Sequence, residues 1–166
     1  MKNFRIEVKW GLIFTVVALL WMLFERLMGW HSTHIDKHAY YTNLFILPAV
    51  AVVVMALRDK KANFYGGNMS WKQGFMAGLV ITLVITILSP MTQWITHKFI
   101  TPDYFTNAIN YAVTNGKATQ EQAEKFFNFN SYLVQSSIGG LVMGLLTSAI
   151  VAFFVRTKPG EAELKA

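Results

Sequence analysis

The sequence predicts an all-α integral membrane four-helix bundle with a partly helical extracytoplasmic connection between spans three and four. Three observations carry that expectation. Of 166 residues, 54 % are hydrophobic and only 14 % are charged, whereas about a quarter of a soluble domain is charged. The apolar residues are gathered into four runs, Trp10 to Phe24 (reaching about Met28), Thr42 to Leu57, Gly74 to Met91 and Tyr132 to Val155. Inside them, stretches such as Ala49-Val50-Ala51-Val52-Val53-Val54 have no polar stripe, so a helix there is apolar around its whole circumference and suits lipid. With their aromatic flanks the spans are expected at about 10–28, 41–57, 72–91 and 131–155, in one transmembrane domain, with the outer connection at 92–131.

Charge sets the orientation. The formal net charge is +6, and in a soluble protein such an excess would suggest nucleic acid. Here ten of the fifteen Lys and Arg residues flank the N-terminus, the 58–72 linker and the C-terminus, and the other five belong to the two remaining connections. That is the positive-inside pattern; it places both termini in the cytoplasm and makes the lipid bilayer, not nucleic acid, the partner. The first apolar run is too long for a secretory h-region and no small-x-small cleavage site follows it, so it reads as a retained span. No cysteine is present, which excludes disulfides and thiolate metal sites.

Taken in order, residues 1–9 form a short basic lead whose Phe4, Ile6 and Val8 suit the headgroup surface. Span one runs outward from Trp10, and a polar island at 29–41 joins it to span two, where Pro48 is expected to bend the helix. Arg58-Asp59-Lys60-Lys61 ends the hairpin. Gly66-Gly67 marks a tight interfacial turn, Ser70 suits the cap of span three, and Ser89-Pro90 closes its apolar part. In the outer connection, Thr101-Pro102-Asp103 resembles a cap with proline at the first helical position. Asn115-Gly116 is a stop, and Thr119 with Gln122 resembles a capping box opening a second short helix that runs on toward span four. Small-residue faces at Gly74/Gly78 and Gly140/Gly144 are expected to bring copies of the chain together as a homo-oligomer.

The chemistry-bearing residues lie in the island. His31, His34 and His38 are spaced three and four apart and would share a face if helical. Imidazoles with a carboxylate from Glu25 or Asp36 are competent ligands for zinc, nickel or iron, which makes the three histidines the metal-site candidates. Histidine titrating near pH 6.5 also makes a pH-responsive outer loop a candidate, and an ordinary interfacial polar turn is the simplest reading. Glu25 ends an apolar span; if it turns inward, Gln135 or His97 could satisfy it, and Glu25 with Gln135 would be the polar relay. No HExxH, nucleotide loop, Ser-His-Asp arrangement or cofactor motif occurs. The expected function is therefore a non-enzymatic membrane interaction or accessory protein. The alternatives are a small oligomeric transporter or ion-conducting protein using Glu25, and an outward-facing metal-binding protein.

The pattern Glu25-x-x-Met28-Gly29-x-His31-x-x-x-Ile35-x-x-His38, leading into Tyr40-Tyr41-Thr42-Asn43-Leu44-Phe45, resembles the DUF4199 family of small four-span bacterial membrane proteins common in Bacteroidota. The glycine-rich last span ending in Arg156-Thr157-Lys158 is similar too. The resemblance implies a multi-pass protein of the bacterial inner membrane and groups Glu25, Gly29, His31 and His38 into one shared feature. It supplies no catalytic residue and no cofactor.

Overall fold

Lipid leaves backbone groups no partner but each other, so each apolar run folds as a helix. The computed structural model describes residues 4–158. Helix α1 is Arg5–Leu27; α2, Ile35–Tyr41, passes through a 3-10 turn at Thr42–Phe45 into α3, Ile46–Asn63. Helix α4, Trp71–Ile95, continues as a π-helical turn at Thr96–Ile100; α5 is Tyr104–Thr114, α6 is Gln120–Phe126 and α7 is Phe129–Val155. Four stretches, Arg5–Leu27, Ile35–Asn63, Trp71–Ile100 and Phe129–Val155, are long and apolar enough to cross a bilayer. The chain is a multi-pass membrane protein, all-α, with α5 and α6 forming the helical connection between spans three and four.

The spans are longer than the apolar runs, and charge pairing explains one end. Arg5 to Lys9 belong to α1 and do not form a separate surface lead; Met1, Lys2 and Asn3 lie outside the described residues. Glu7 is buried and its Oε1 lies 2.8 Å from Lys60 Nζ. Lys9 pairs with Asp59, and Trp10 Nε1–H donates to the same carboxylate at 2.6 Å. These contacts carry α1 and α3 past Trp10 and Leu57, so Arg58-Asp59-Lys60-Lys61 lies in the last turns of α3, which ends at Asn63.

Both prolines lie within helical spans. Pro48 falls in the first turn of α3, and the irregular 3-10 turn before it contains Leu44, whose carbonyl a continuous α-helix would offer to Pro48. Pro90 lies inside α4, which runs on to Ile95 with Thr92 Oγ1 donating to the Leu88 carbonyl at 3.0 Å. A lipid-embedded helix tolerates such a proline.

Turn chemistry fixes most remaining boundaries. Ser70 and Gln73 bond reciprocally at the start of α4, and Thr119 and Gln122 form the expected capping box on α6. Gly116 takes φ +63° after α5. Thr101 does not cap α5: its N–H bonds the Thr96 carbonyl at 2.7 Å, closing the π-helical turn, and α5 begins at Tyr104. Helix α6 does not run into α7, because Asn128 Oδ1 accepts from the Ser131 N–H at 2.9 Å and starts α7 afresh.

The contacts group into two compact units. Among the described residues, one comprises 4–14, 47–87 and 139–158; the other comprises Thr15–Ile46 and Leu88–Ile138. The first has a core of Val53, Ala56, Leu57, Ile81, Val151 and Ala152. Within it the glycines expected between copies of the chain are used internally. A Cβ at Gly74 would lie 3.1 Å from Ala152 Cβ, one at Gly78 would lie 2.5 Å from Ser148 Oγ, and one at Gly144 would collide with Thr82. Small residues here let α4 and α7 approach. At Gly140 no such neighbour stands within 4 Å.

Candidate functional site

The site begins with the way α1 stops. Gly29 adopts φ +75°; its N–H bonds the Arg26 carbonyl at 2.9 Å, and the Trp30 N–H bonds the Glu25 carbonyl at 3.1 Å. These are the paired bonds of a Schellman turn, and the accompanying apolar contact is Phe24 against Trp30, edge to face at 5.5 Å. The Gly29 carbonyl then accepts from Ser32 and His34 N–H at 3.0 and 2.8 Å. The chain therefore doubles back on its own helix, and His31 comes to rest on Glu25.

Glu25 is completely buried and His31 is 4 % exposed. His31 Nε2 lies 2.9 Å from Glu25 Oε2, and His38 Nδ1, one turn into α2, lies 3.3 Å from the same oxygen. Trp21, one turn earlier on α1, donates its indole N–H to Oε1. Asn107 of α5 donates to the His31 carbonyl at 3.0 Å. The ring of Tyr104 closes the cluster edge-on, 5.2 Å from His31 and 5.1 Å from His38. Its hydroxyl pairs with that of Tyr132 at 2.8 Å. Burial first, and the neighbouring Tyr132 next, push the Tyr104 phenol well above its ordinary pKa, so it remains a neutral wall.

This geometry can hold a cation. One ligand atom each from Glu25, His31 and His38 lie within 4.8 Å of one another. Zinc bonds of about 2.05 Å in a tetrahedron put ligand atoms about 3.3 Å apart; the His38 distance to Oε2, 3.3 Å, is of that size, while the 2.9 Å contact of His31 with Oε2 is a hydrogen bond. His38 Nδ1 is buried and makes no hydrogen bond despite its closeness to the carboxylate. Trp21, which restrains the other carboxylate oxygen, occupies the outer position that orients a ligand.

The family model described as "Protein of unknown function (DUF4199)" matches residues 9–157. The chain belongs to the DUF4199 family. No curated protein and no solved structure matches it. The matched stretch includes all three residues of the buried cluster in this DUF4199 protein. No catalytic motif accompanies it.

The sequence-stated candidates are distributed unevenly. Glu25, His31 and His38 are brought together; His34 is exposed, with its Nδ1 3.1 Å from Thr33 Oγ1, and does not join them. The turn at Gly29 breaks the helical face that the three-and-four spacing would have made. Asp36 is exposed. Gln135 is exposed and donates to Ser131 Oγ at 2.9 Å, one turn back on its own helix, so it does not reach Glu25. His97 stacks on Phe105 at 4.2 Å among aromatic rings, on the π-helical turn. Sequence reasoning missed Trp21, Tyr104 and Asn107. Trp21 was the findable one, since an i, i+4 spacing puts it on the face of Glu25.

Proposed function

We propose that this DUF4199 protein is a non-enzymatic membrane protein that binds one divalent transition-metal ion, zinc being the type case, through Glu25 Oε2, His31 Nε2 and His38 Nδ1. The observation that carries the reading is the buried carboxylate faced by two imidazoles within ligand distance of one another. A bound cation would stabilise a carboxylate buried in this way beyond what its hydrogen bonds supply. Among the described residues no Lys or Arg pairs with Glu25. A bound dication supplies the charge and uses the ligand types present. The reading favours an accessory role, holding or sensing metal, over chemistry on a substrate.

The cluster stands at the far end of α1 from the N-terminus. With the cytoplasm on the side of the N-terminus and the 58–72 linker, as the concentration of Lys and Arg there supports, the cluster faces the outer side of a bacterial inner membrane. The same buried charge also favours a second reading, in which protonation of His31 or His38 supplies the positive charge and the turn responds to pH.

Metal analysis of protein purified in detergent, followed by zinc titration of the stripped protein, separates the two. The metal reading expects one ion per chain in the parent and in His34→Ala, and at least a hundredfold weaker binding in Glu25→Gln, His31→Ala and His38→Ala. Absence of stoichiometric binding in the parent, or a loss in His34→Ala equal to that in His38→Ala, rejects it.

A further inference from the structure

We propose that the cleft between the ends of α3 and α7 is a binding site for an anionic phospholipid: phosphate on the basic rim, one acyl chain along the apolar wall. The cleft has a volume of about 580 Å³. Its wall is made by Val50 and Val54 of α3 and by Ile150 and Phe154 of α7, and its rim carries Arg58, Lys61, Arg156 and Lys158. From Val50 to Arg58 the helix rises about 12 Å, a depth that accepts the upper part of an acyl chain while the head stays level with the rim.

The charge balance argues for the headgroup. Elsewhere in this unit two basic side chains are answered by carboxylates, Lys9 by Asp59 and Lys60 by Glu7. Around the cleft, four cations converge, and among the described residues none of them has a carboxylate partner within ion-pair distance. Two of the four are already oriented. Lys61 Nζ donates to the Val155 carbonyl, at the C-terminal end of α7, at 3.0 Å, and the Arg156 guanidinium lies 4.3 Å from the Phe153 ring centroid. Side chains fixed in this way lose less freedom when a phosphate arrives, and guanidinium forks match phosphate oxygens in pairs. Basic pockets between membrane helices are suited to anionic lipid heads. A zwitterionic lipid carries its own cation and gains little from four more. This inference does not use Glu25 or the histidines, so it stands or falls apart from the metal reading.

Lipid binding to the purified full chain in mixed micelles, read by native mass spectrometry, is the test, with phosphatidylglycerol and phosphatidylcholine of matched acyl chains as probes. The parent is expected to retain phosphatidylglycerol about tenfold more tightly than phosphatidylcholine. Arg58→Gln combined with Arg156→Gln removes the preference to within about twofold, whereas Lys117→Gln combined with Lys125→Gln, an equal charge change elsewhere, preserves it. Ile150→Trp, which fills the wall without touching charge, weakens retention of both lipids. Equal retention of the two lipids by the parent overturns the proposal, as does a preference that survives the Arg58/Arg156 change in protein that keeps its helix content.

Discussion

Glu7 and Glu25 stand on the same helix, and both carboxylates are buried, 3 % and 0 % exposed. They are answered by different kinds of partner. Glu7 meets Lys60, whose ammonium also lies 3.6 Å from the centroid of the Phe64 ring. The pair is a brace joining the first turns of α1 to the last turns of α3. Glu25 meets two imidazoles, side chains that can take up a proton or, as neutral bases, ligate a cation. The difference shows that burying a carboxylate does not by itself mark a site; the site is marked by partners that can change state.

Breaking the Glu7–Lys60 pair should have the largest effect on stability. Lys60→Met leaves Glu7 buried without its cation, which destabilises by about 3–5 kcal/mol, read as a lowered unfolding midpoint in mixed micelles, with metal stoichiometry unchanged in the folded fraction. The conditional cluster should respond in the opposite sense. Glu25→Gln removes the charge along with the ligand, keeps an oxygen for Trp21, and changes stability by no more than about 1–3 kcal/mol, while zinc affinity collapses. If Glu25→Gln unfolds the protein as severely as Lys60→Met, the two carboxylates are both braces and the contrast fails.

Smaller changes sharpen the comparison. Trp21→Phe leaves Glu25 in place but releases its outer oxygen, and should weaken metal binding about 10–100-fold, with the effect visible in zinc titration. Gly29→Ala forces a side chain into φ +75° and toward Thr33 Oγ1. It should cost about 1–2 kcal/mol and weaken metal binding through misplacement of His31. Thr119→Ala, which breaks the capping box on α6, should cost about 1 kcal/mol without altering metal affinity.

The four spans were legible because a bilayer demands unbroken apolar helices, and their approximate centres follow from Val52-Val53-Val54 or Leu79-Val80-Ile81 alone. Their ends were not legible, because α1 and α3 are prolonged by Glu7 meeting Lys60 and by Lys9 meeting Asp59, contacts between residues about fifty positions apart. Glu25, His31 and His38 were visible as residue types in one polar island. Which histidines join the carboxylate depends on one residue, Gly29, whose left-handed turn removes His34 from the face of His31. Tyr104 and Asn107 arrive from the outer connection, and nothing local in their sequence announces that destination. The glycine faces show the same limit. Gly74 and Gly78 were readable as a surface for close approach, but their partner proved to be α7 of the same chain.

Glu25, His31 and His38 are proposed to ligate one ion. X-ray absorption at the zinc edge, on protein loaded with one equivalent of zinc, tests it most directly. The expected spectrum has a first shell of nitrogen and oxygen near 2.0–2.1 Å, with outer-shell scattering from two imidazoles that falls to one in His38→Ala and is unaltered in His34→Ala. A spectrum of fully hydrated zinc, or three imidazoles with one lost in His34→Ala, would contradict it.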